Sequence, residues 1–276
     1  MRQSNIYFLP VTILWILLAI LTAIFDLEIS KALVIQDSSL ATFLENYGML
    51  PGIVVLLIGI YIYYSFIVTQ KLKLSFLRKG FYFLAANFLI LYFFGVLAGS
   101  PELKNLSDKF YLIAASSVLI NIIIIVILHI KKVVPSEVPL KFSRTVIVLG
   151  FWGYIISIQL IKTIWGRVRF RELDELFSQF TPWYLPQGIT GFDSFPSGHA
   201  AMGWMLLPLL ILMNNENQLM RKLVLAIICC WGILLASSRV LIGAHYSSDV
   251  LFGSFFIITI YYFSQKNYSA NVTQAD

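Results

Sequence analysis

The chain has 276 residues, of which 59% are hydrophobic and only 12% are charged. Soluble domains carry roughly 25% charged residues, so this composition excludes an ordinary soluble protein and indicates an integral membrane protein. The net charge of +6 does not call for a nucleic-acid partner, because the cytoplasmic loops of membrane proteins collect Lys and Arg. Cys229 and Cys230 are adjacent within an apolar run, and we interpret them as buried packing residues.

Apolar runs long enough to form helical spans recur along the whole chain. A helix needs about 20 apolar residues to cross the hydrocarbon core, which predicts an all-α, polytopic bundle of about eight spans. The predicted spans are residues 6–24, 50–68, 81–97, 111–130, 145–165, 198–213, 223–236 and 247–263. The sixth and seventh are short, so we expect each to extend into the residues beside it.

The loops between these spans differ in charge. The basic loops are residues 70–80, which include Lys71 and Lys73, residues 131–144, and the link at Arg221 and Lys222. The alternating loops are residues 26–48, with four acids against one Lys, and residues 99–110, which are balanced. The positive-inside rule therefore predicts that both termini are cytoplasmic and that the loops after spans one, three, five and seven face outward.

Three polar segments lie at the ends of the later spans that are predicted to face outward. The segment KTIWGRVRF ends span five and contains Lys162 and Arg169. The segment PSGH, from Pro196 to His199, opens span six. The segment SRVLIGAHYSSD joins spans seven and eight and contains Ser238, Arg239, His245 and Asp249. The loop charges that predict the orientation lie outside these segments, so the common side of the segments is independent evidence for one site.

Each segment by itself also has an ordinary structural interpretation. Lys and Arg at a helix end often extend toward the lipid head groups. Pro196 and Ser197 can begin and cap a helix. His245 and Asp249 are four residues apart and can form a structural pair on one helical face. The occurrence of all three segments on one side favours a shared functional role.

The cations among these residues suit the binding of a phosphoryl group. Arg169 and Arg239 offer planar, bidentate donors to phosphate oxygens, and Lys162 adds a point charge. The predicted helix start at Ser197 and Gly198 would add free backbone N–H groups and the positive end of a helix dipole. The sequence therefore predicts an anion site.

The histidines supply the chemistry for phosphoryl transfer. His245, oriented by Asp249, can attack phosphorus as a nucleophile. His199 can protonate the leaving alkoxide and then activate water. Two His and one Asp can in principle bind zinc, but the surrounding Lys and Arg would repel a cation, so we expect neither metal nor cofactor.

Together the segments resemble the signature of the type 2 phosphatidic acid phosphatase family, the integral-membrane lipid phosphate phosphatases. That signature is Lys, six residues and Arg-Pro; then Pro-Ser-Gly-His; then Ser-Arg, five residues, His, three residues and Asp. The residues that match it are Lys162, Arg169, Pro196, Ser197, Gly198, His199, Ser238, Arg239, His245 and Asp249. One departure is Phe170, where the family usually has the Pro of the first segment.

The resemblance implies roles for these residues. It implies a phosphohistidine at His245, acid–base catalysis by His199 and metal-independent hydrolysis. The implied phosphate-binding residues are Lys162, Arg169, Ser197, Gly198 and Arg239, with Asp249 behind the nucleophile and with Pro196 and Ser238 in support. Typical members have six spans, so an extra pair is expected before the first motif.

We accordingly predict one integral-membrane domain over residues 1–276. Residues 145–264 would form its catalytic four-span part, and residues 1–144 would hold the N-terminal spans with the extra pair.

The expected function is removal of phosphate from a phosphomonoester or diphosphate lipid at the outer face of the cell membrane. Substrates of similar proteins include phosphatidate, phosphatidylglycerophosphate and undecaprenyl diphosphate, and the sequence does not select among them. One alternative is a phosphotransferase with a lipid or sugar acceptor. Another is a non-catalytic lipid binder or transporter, although the intact His199, His245 and Asp249 argue against it. Membrane lipids are the expected partners, and the sequence does not indicate an oligomeric state.

Overall fold

The computed structural model describes residues 2–35, 37–70, 75–97, 106–132, 134–213 and 217–272. Within these ranges the chain is mostly helical and contains no strand, which confirms the predicted all-α fold. Lys71, Lys73 and most of the predicted loop 99–110 lie outside the described residues.

The helices follow one another in the order expected for a polytopic protein. The α-helices are α1 (Arg2–Leu33), α2 (Ser39–Tyr47), α3 (Leu50–Thr69), α4 (Ser75–Leu97), α5 (Leu106–Lys131), α6 (Glu137–Val148), α7 (Ile161–Trp165), α8 (Gly198–Trp204), α9 (Gln218–Leu241) and α10 (Ser247–Val272). A π-helix, Leu149–Leu160, joins α6 to α7 without a break. Short 3-10 helices cover Phe170–Glu172 and Leu207–Ile211.

Seven helical stretches in the described part of the chain are long and apolar enough to cross a membrane. They are Leu9–Leu33, Ser39–Thr69, Phe76–Leu97, Phe110–Lys131, Glu137–Glu172, Gln218–Leu241 and Ser247–Lys266. The predicted sixth span differs, because α8 ends at Trp204 and the chain continues as a 3-10 helix. Pro208 lies in that 3-10 helix and cannot donate the backbone hydrogen bond that an α-helix requires.

The outer surfaces of these helices are apolar. Leu14 and Leu17 in α1 and Ile127 in α5 are exposed, as are many other large hydrophobic side chains. An apolar surface of this extent needs a lipid environment, so the protein is a multi-pass membrane protein. Cys230 is also exposed, which corrects the expectation that it is buried.

The chain divides into two compact units, the first of which comprises Met1–Met49, Val148–Leu207 and Lys222–Asp276. In this unit α1, α8 and the π-helix pack against α10. Gly153 allows the π-helix to approach α10 closely, because a Cβ atom there would lie 2.6 Å from Cδ1 of Ile257. The packing brings all three polar segments into the same unit.

An aromatic core in the first unit supports the PSGH turn. Phe195, directly before that turn, is buried together with Phe252 of α10. The ring centroids of Trp165 and Phe195 are 4.8 Å apart, and those of Phe195 and Phe252 are 5.1 Å apart. Because large aromatic side chains bury much area in defined geometry, this core fixes where the turn lies relative to α7 and α10.

The second unit comprises Leu50–Ile147 and Pro208–Arg221. Its helices α3, α4 and α5 pack on one another, and Asn121 of α5 joins all three. Tyr61 Oη donates to Asn121 Oδ1 at 2.8 Å, and Asn121 Nδ2 donates to the Phe83 carbonyl at 2.9 Å. Polar side chains between membrane helices stabilise their association in this way. His129 is also in this unit, with its ring against Tyr64.

Candidate active site

His245 and Asp249 form the centre of the candidate site in the first unit. His245 precedes α10, and Asp249 lies in its first turn. Nδ1 of His245 is 3.4 Å from Oδ2 of Asp249, slightly longer than the usual hydrogen-bond range of about 2.7–3.2 Å. Catalytic hydrogen bonds are often long before substrate binds and shorten in the complex. Nδ1 therefore faces the carboxylate, and Nε2 is the ring nitrogen that faces away from it.

The Asp249 carboxylate is held from several directions. Arg167 Nη1 donates to Oδ1 at 2.6 Å. Ser194 Oγ and the backbone N–H of Tyr246 donate to Oδ2 at 2.5 Å and 2.9 Å. A buried carboxylate with this many donors stays ionised and has one fixed orientation. Asp249 can therefore hold the ring of His245 in a single tautomer.

Burial lowers the pKa of His245 to about 4, an effect that the nearby Asp249 carboxylate opposes. The nearby cations Lys162 and Arg239 lower this pKa further. The imidazole is therefore neutral at pH 7 in the absence of substrate. A neutral imidazole has the free lone pair that a nucleophile requires.

The three predicted phosphate-binding cations each contact a carboxylate. Arg169 Nη2 is 2.5 Å from Asp193 Oδ1, and Lys162 Nζ is 3.5 Å from Asp193 Oδ2. Arg239 Nη2 is 2.8 Å from Glu45 Oε1. The structure thus brings the predicted cations together around two acids that the sequence did not assign to the site.

Several guanidinium donors in this cluster lack an acceptor. Within the described ranges, Nε and Nη1 of Arg239 and Nε of Arg169 are buried without a hydrogen-bond partner. Buried polar groups are normally paired, and an unpaired one in a native protein needs an explanation. The oxygens of a bound oxyanion are acceptors of the required kind.

His199 lies against α2, the helix that carries Glu45. Its Nε2 is 2.9 Å from the backbone carbonyl oxygen of Glu45. A carbonyl oxygen can only accept, so Nε2 is the nitrogen that carries the hydrogen. Through its carbonyl and its carboxylate, Glu45 of α2 therefore contacts both His199 and Arg239.

The PSGH turn differs from expectation at Ser197. Its Oγ accepts from Ala200 N at 3.4 Å and caps α8, and its backbone N–H donates to the Asp249 carbonyl at 2.9 Å. The predicted free N–H group of Ser197 is therefore already engaged, because the turn packs directly on α10. The backbone at Gly198 lies close to Tyr154, since a Cβ atom at this position would lie 3.3 Å from the Tyr154 hydroxyl.

The remaining motif residues have structural contacts. Ser238 Oγ donates to the Leu235 carbonyl of its own helix at 2.7 Å, and Pro196 is buried. Phe170, which stands where the resembled signature has Pro, begins a 3-10 turn. The turn is fixed by Arg171 N, which donates to the Gly243 carbonyl at 2.9 Å. Gly243 has a φ of +64° and could not carry a Cβ atom without contacting Phe170 at 3.1 Å.

The sequence interpretation missed several residues of this cluster. They are Asp26, Glu45, Arg167, Asp193, Ser194 and Ser248. A signal for Asp26 was present, because an acid directly after an apolar span is costly in a membrane unless it has a partner. The residues that the structure describes include no group of three or more His, Cys, Asp or Glu side chains placed to hold a metal ion.

A multi-pass helical fold with a buried His–Asp pair among Lys and Arg side chains defines a membrane protein suited to phosphate-ester chemistry. Residues 143–271 match the family model of the PAP2 superfamily, consistent with a type 2 phosphatidic acid phosphatase. The match confirms the resemblance seen in the motifs. Members of this superfamily are phosphatases, which supports a phosphoric ester hydrolase of the lipid phosphate type. No curated protein and no solved structure matches the chain.

Proposed function

We propose that the protein hydrolyses a phosphomonoester or diphosphate lipid through a phosphohistidine at His245, without a metal, at the outer face of the cell membrane. The observation that carries the proposal is the set of buried, unpaired donors on Arg239 and Arg169 beside a neutral imidazole backed by Asp249. Donors fixed in advance around the position of a phosphoryl group stabilise the charge of its transition state.

In the first step, the lone pair on Nε2 of His245 forms a bond to phosphorus as the bond from phosphorus to the lipid oxygen breaks. In the substrate complex His199 is an imidazolium, protonated on both ring nitrogens, because the negative charge of the phosphate favours its charged form. The leaving oxygen takes the proton from Nε2 of this imidazolium, which leaves a neutral His199, and departs as the lipid alcohol or, from a diphosphate, as the lipid monophosphate. The ring of His245 keeps its Nδ1 hydrogen and gains positive charge, which the Asp249 carboxylate stabilises.

In the second step, water attacks phosphorus and the bond from phosphorus to Nε2 breaks. His199, now without its proton, takes a proton from that water. The products are inorganic phosphate and a neutral His245, so the enzyme returns to its starting state.

Substrate binding also has to displace the two acids of the cluster. A phosphate with two negative charges competes with Asp193 for Lys162 and Arg169 and with Glu45 for Arg239. The leaving oxygen takes the place of the Glu45 carbonyl at Nε2 of His199. Glu45 of α2 thus occupies part of the position of the substrate head group until a lipid phosphate binds.

A panel of lipid phosphates tests this function directly. Purified protein in detergent with a chelator should release inorganic phosphate from at least one of phosphatidate, phosphatidylglycerophosphate and undecaprenyl diphosphate. In ¹⁸O-labelled water the released phosphate should carry the label, since water is the acceptor. Transfer of the phosphoryl group to an added lipid or sugar would show a phosphotransferase instead, and the absence of turnover on every lipid would favour a binding protein.

The proposed orientation predicts where cysteines can be labelled. In a background with Cys229 and Cys230 changed to Ala, Gln179→Cys should react with an impermeant thiol reagent added to intact cells. Gln179 is exposed in the loop before the PSGH turn. Lys222→Cys, which is also exposed, is the matched control and should react only after lysis. The reverse pattern would place the site on the cytoplasmic side.

A further inference from the structure

We propose that Asp26 of α1 is a positioning residue for the hydrolysis, because it anchors Arg167 and thereby holds Asp249 against His245. Asp26 lies outside the residues that match the family model. The proposal rests on the proposed function, since it assigns a role in the reaction at His245.

Asp26 is buried, with 2% of its surface exposed, near the C-terminal end of α1. Its Oδ2 accepts from Arg167 Nη2 at 2.9 Å. Its Oδ1 accepts from the backbone N–H of Ser248 at 3.0 Å, and the Ser248 hydroxyl donates to Oδ2. A carboxylate buried next to an apolar span is costly unless it is paired in this way. The first helix is therefore bound directly to the start of α10.

Arg167 carries the effect of Asp26 to the reaction centre. Only 1% of this residue is exposed, and its Nη1 donates to Asp249 Oδ1 at 2.6 Å. Its Nε donates to the Thr181 carbonyl at 2.8 Å, and its guanidinium carbon lies 3.9 Å from the centroid of the Tyr246 ring. The guanidinium therefore makes its hydrogen bonds and its ring contact with protein groups. It acts through Asp249 rather than on the phosphate.

The pairing decides which oxygen of Asp249 faces the nucleophile. Arg167 takes Oδ1, so that Oδ2 is left for Ser194, Tyr246 N–H and Nδ1 of His245. Without Asp26, one end of the guanidinium loses its anchor and the Asp249 carboxylate can rotate. Small displacements of a group that orients a nucleophile can cost roughly a hundredfold in rate.

The charge of Asp26 matters as well as its position. Arg167 and Asp249 by themselves form a neutral pair, and Asp26 gives the three residues a net negative charge. The charged and titratable groups that face His245 are Lys162, Arg239, His199 and Asp249. Most of these are cationic or neutral, so the added negative charge of Asp26 stabilises the positive ring that forms during attack on phosphorus.

The test compares Asp26→Asn, Asp26→Glu and Glu28→Gln in the same lipid phosphate assay. Asp26→Asn should lower kcat roughly ten- to a hundredfold with an unchanged KM. It should also move the acid limb of kcat/KM to lower pH, because loss of negative charge disfavours protonated His245. Asp26→Glu should restore the wild-type acid limb of kcat/KM but not the full kcat, since it restores the negative charge without the same contact to Arg167. Glu28 pairs with Lys31 on the surface of α1, and Glu28→Gln should match the wild type.

Thermal unfolding in detergent shows whether each variant is folded, so that a loss of activity can be separated from a loss of structure. A folded Asp26→Asn with wild-type kcat, or with lower kcat and an unmoved acid limb, would overturn the assignment. Should Asp26→Asn not fold, Asp26→Glu decides: a lower kcat at wild-type KM supports the role, and a wild-type kcat overturns it. If the wild type itself releases no phosphate, the proposed function fails rather than the role of Asp26.

Discussion

His245→Ala should abolish phosphate release, with kcat lowered by at least about a thousandfold. The variant lacks the nitrogen that bonds to phosphorus, and no neighbouring group can take its place. Asp249 keeps its contacts with Arg167, Ser194 and Tyr246 N–H. The fold should therefore survive, and the unfolding temperature in detergent should stay close to that of the wild type.

A second histidine provides the control for that loss. His129 packs against Tyr64 in the second unit, so His129→Ala should keep wild-type turnover. His199→Ala should lower kcat but leave the phosphorylated enzyme detectable with a diphosphate substrate, because the lipid monophosphate can leave without a proton whereas the attacking water still lacks its base. Substantial hydrolysis by a folded His245→Ala would remove His245 from the mechanism.

Arg239→Gln should lower kcat/KM by roughly a hundred- to a thousandfold on the active lipid substrate. The change removes buried donors that have no acceptor in the absence of phosphate, and those donors are the ones available to a developing negative charge. Arg239→Lys should recover only part of the loss, because an ammonium group lacks the planar, bidentate geometry of a guanidinium. Steady-state kinetics with one substrate measures both effects.

Glu45→Gln should change the affinity for phosphate in the direction opposite to Arg239→Gln. Glu45 contacts the same Arg239 at 2.8 Å and is half-buried, so it competes with phosphate for that cation. Its neutralisation should lower the inhibition constant for inorganic phosphate, whereas Arg239→Gln should raise it. Weaker phosphate inhibition in Glu45→Gln would show that Glu45 supports phosphate binding instead of opposing it.

The spacing of the motifs was sufficient to predict which cations and histidines come together. Lys162 is far in sequence from Arg239 and His245, but all three lie at the ends of spans on the same predicted side. The parity of the spans therefore predicts their common location before any packing is known. His245 and Asp249 also meet, but not as partners on one helical face, because His245 precedes α10 and Asp249 lies in its first turn.

The acids of the site could not be assigned in the same way. Asp26 and Glu45 follow the first predicted span, and their partners Arg167 and Arg239 are more than a hundred residues later. Their pairing depends on how α1 and α2 pack against the later helices, which no local pattern encodes. Ser197 shows the same limit, since its N–H group is engaged by a carbonyl of α10 that only the tertiary packing brings near.

Capture of the phosphoryl-enzyme tests the central claim most directly. The purified protein would be mixed with a lipid carrying ³²P in its terminal phosphate, quenched in base and digested, and the labelled peptide sequenced. We predict an acid-labile label on His245 that accumulates in His199→Ala and is absent from His245→Ala. Label on another residue, or phosphate release by the wild type with no labelled His245 even in His199→Ala, would contradict the proposed mechanism.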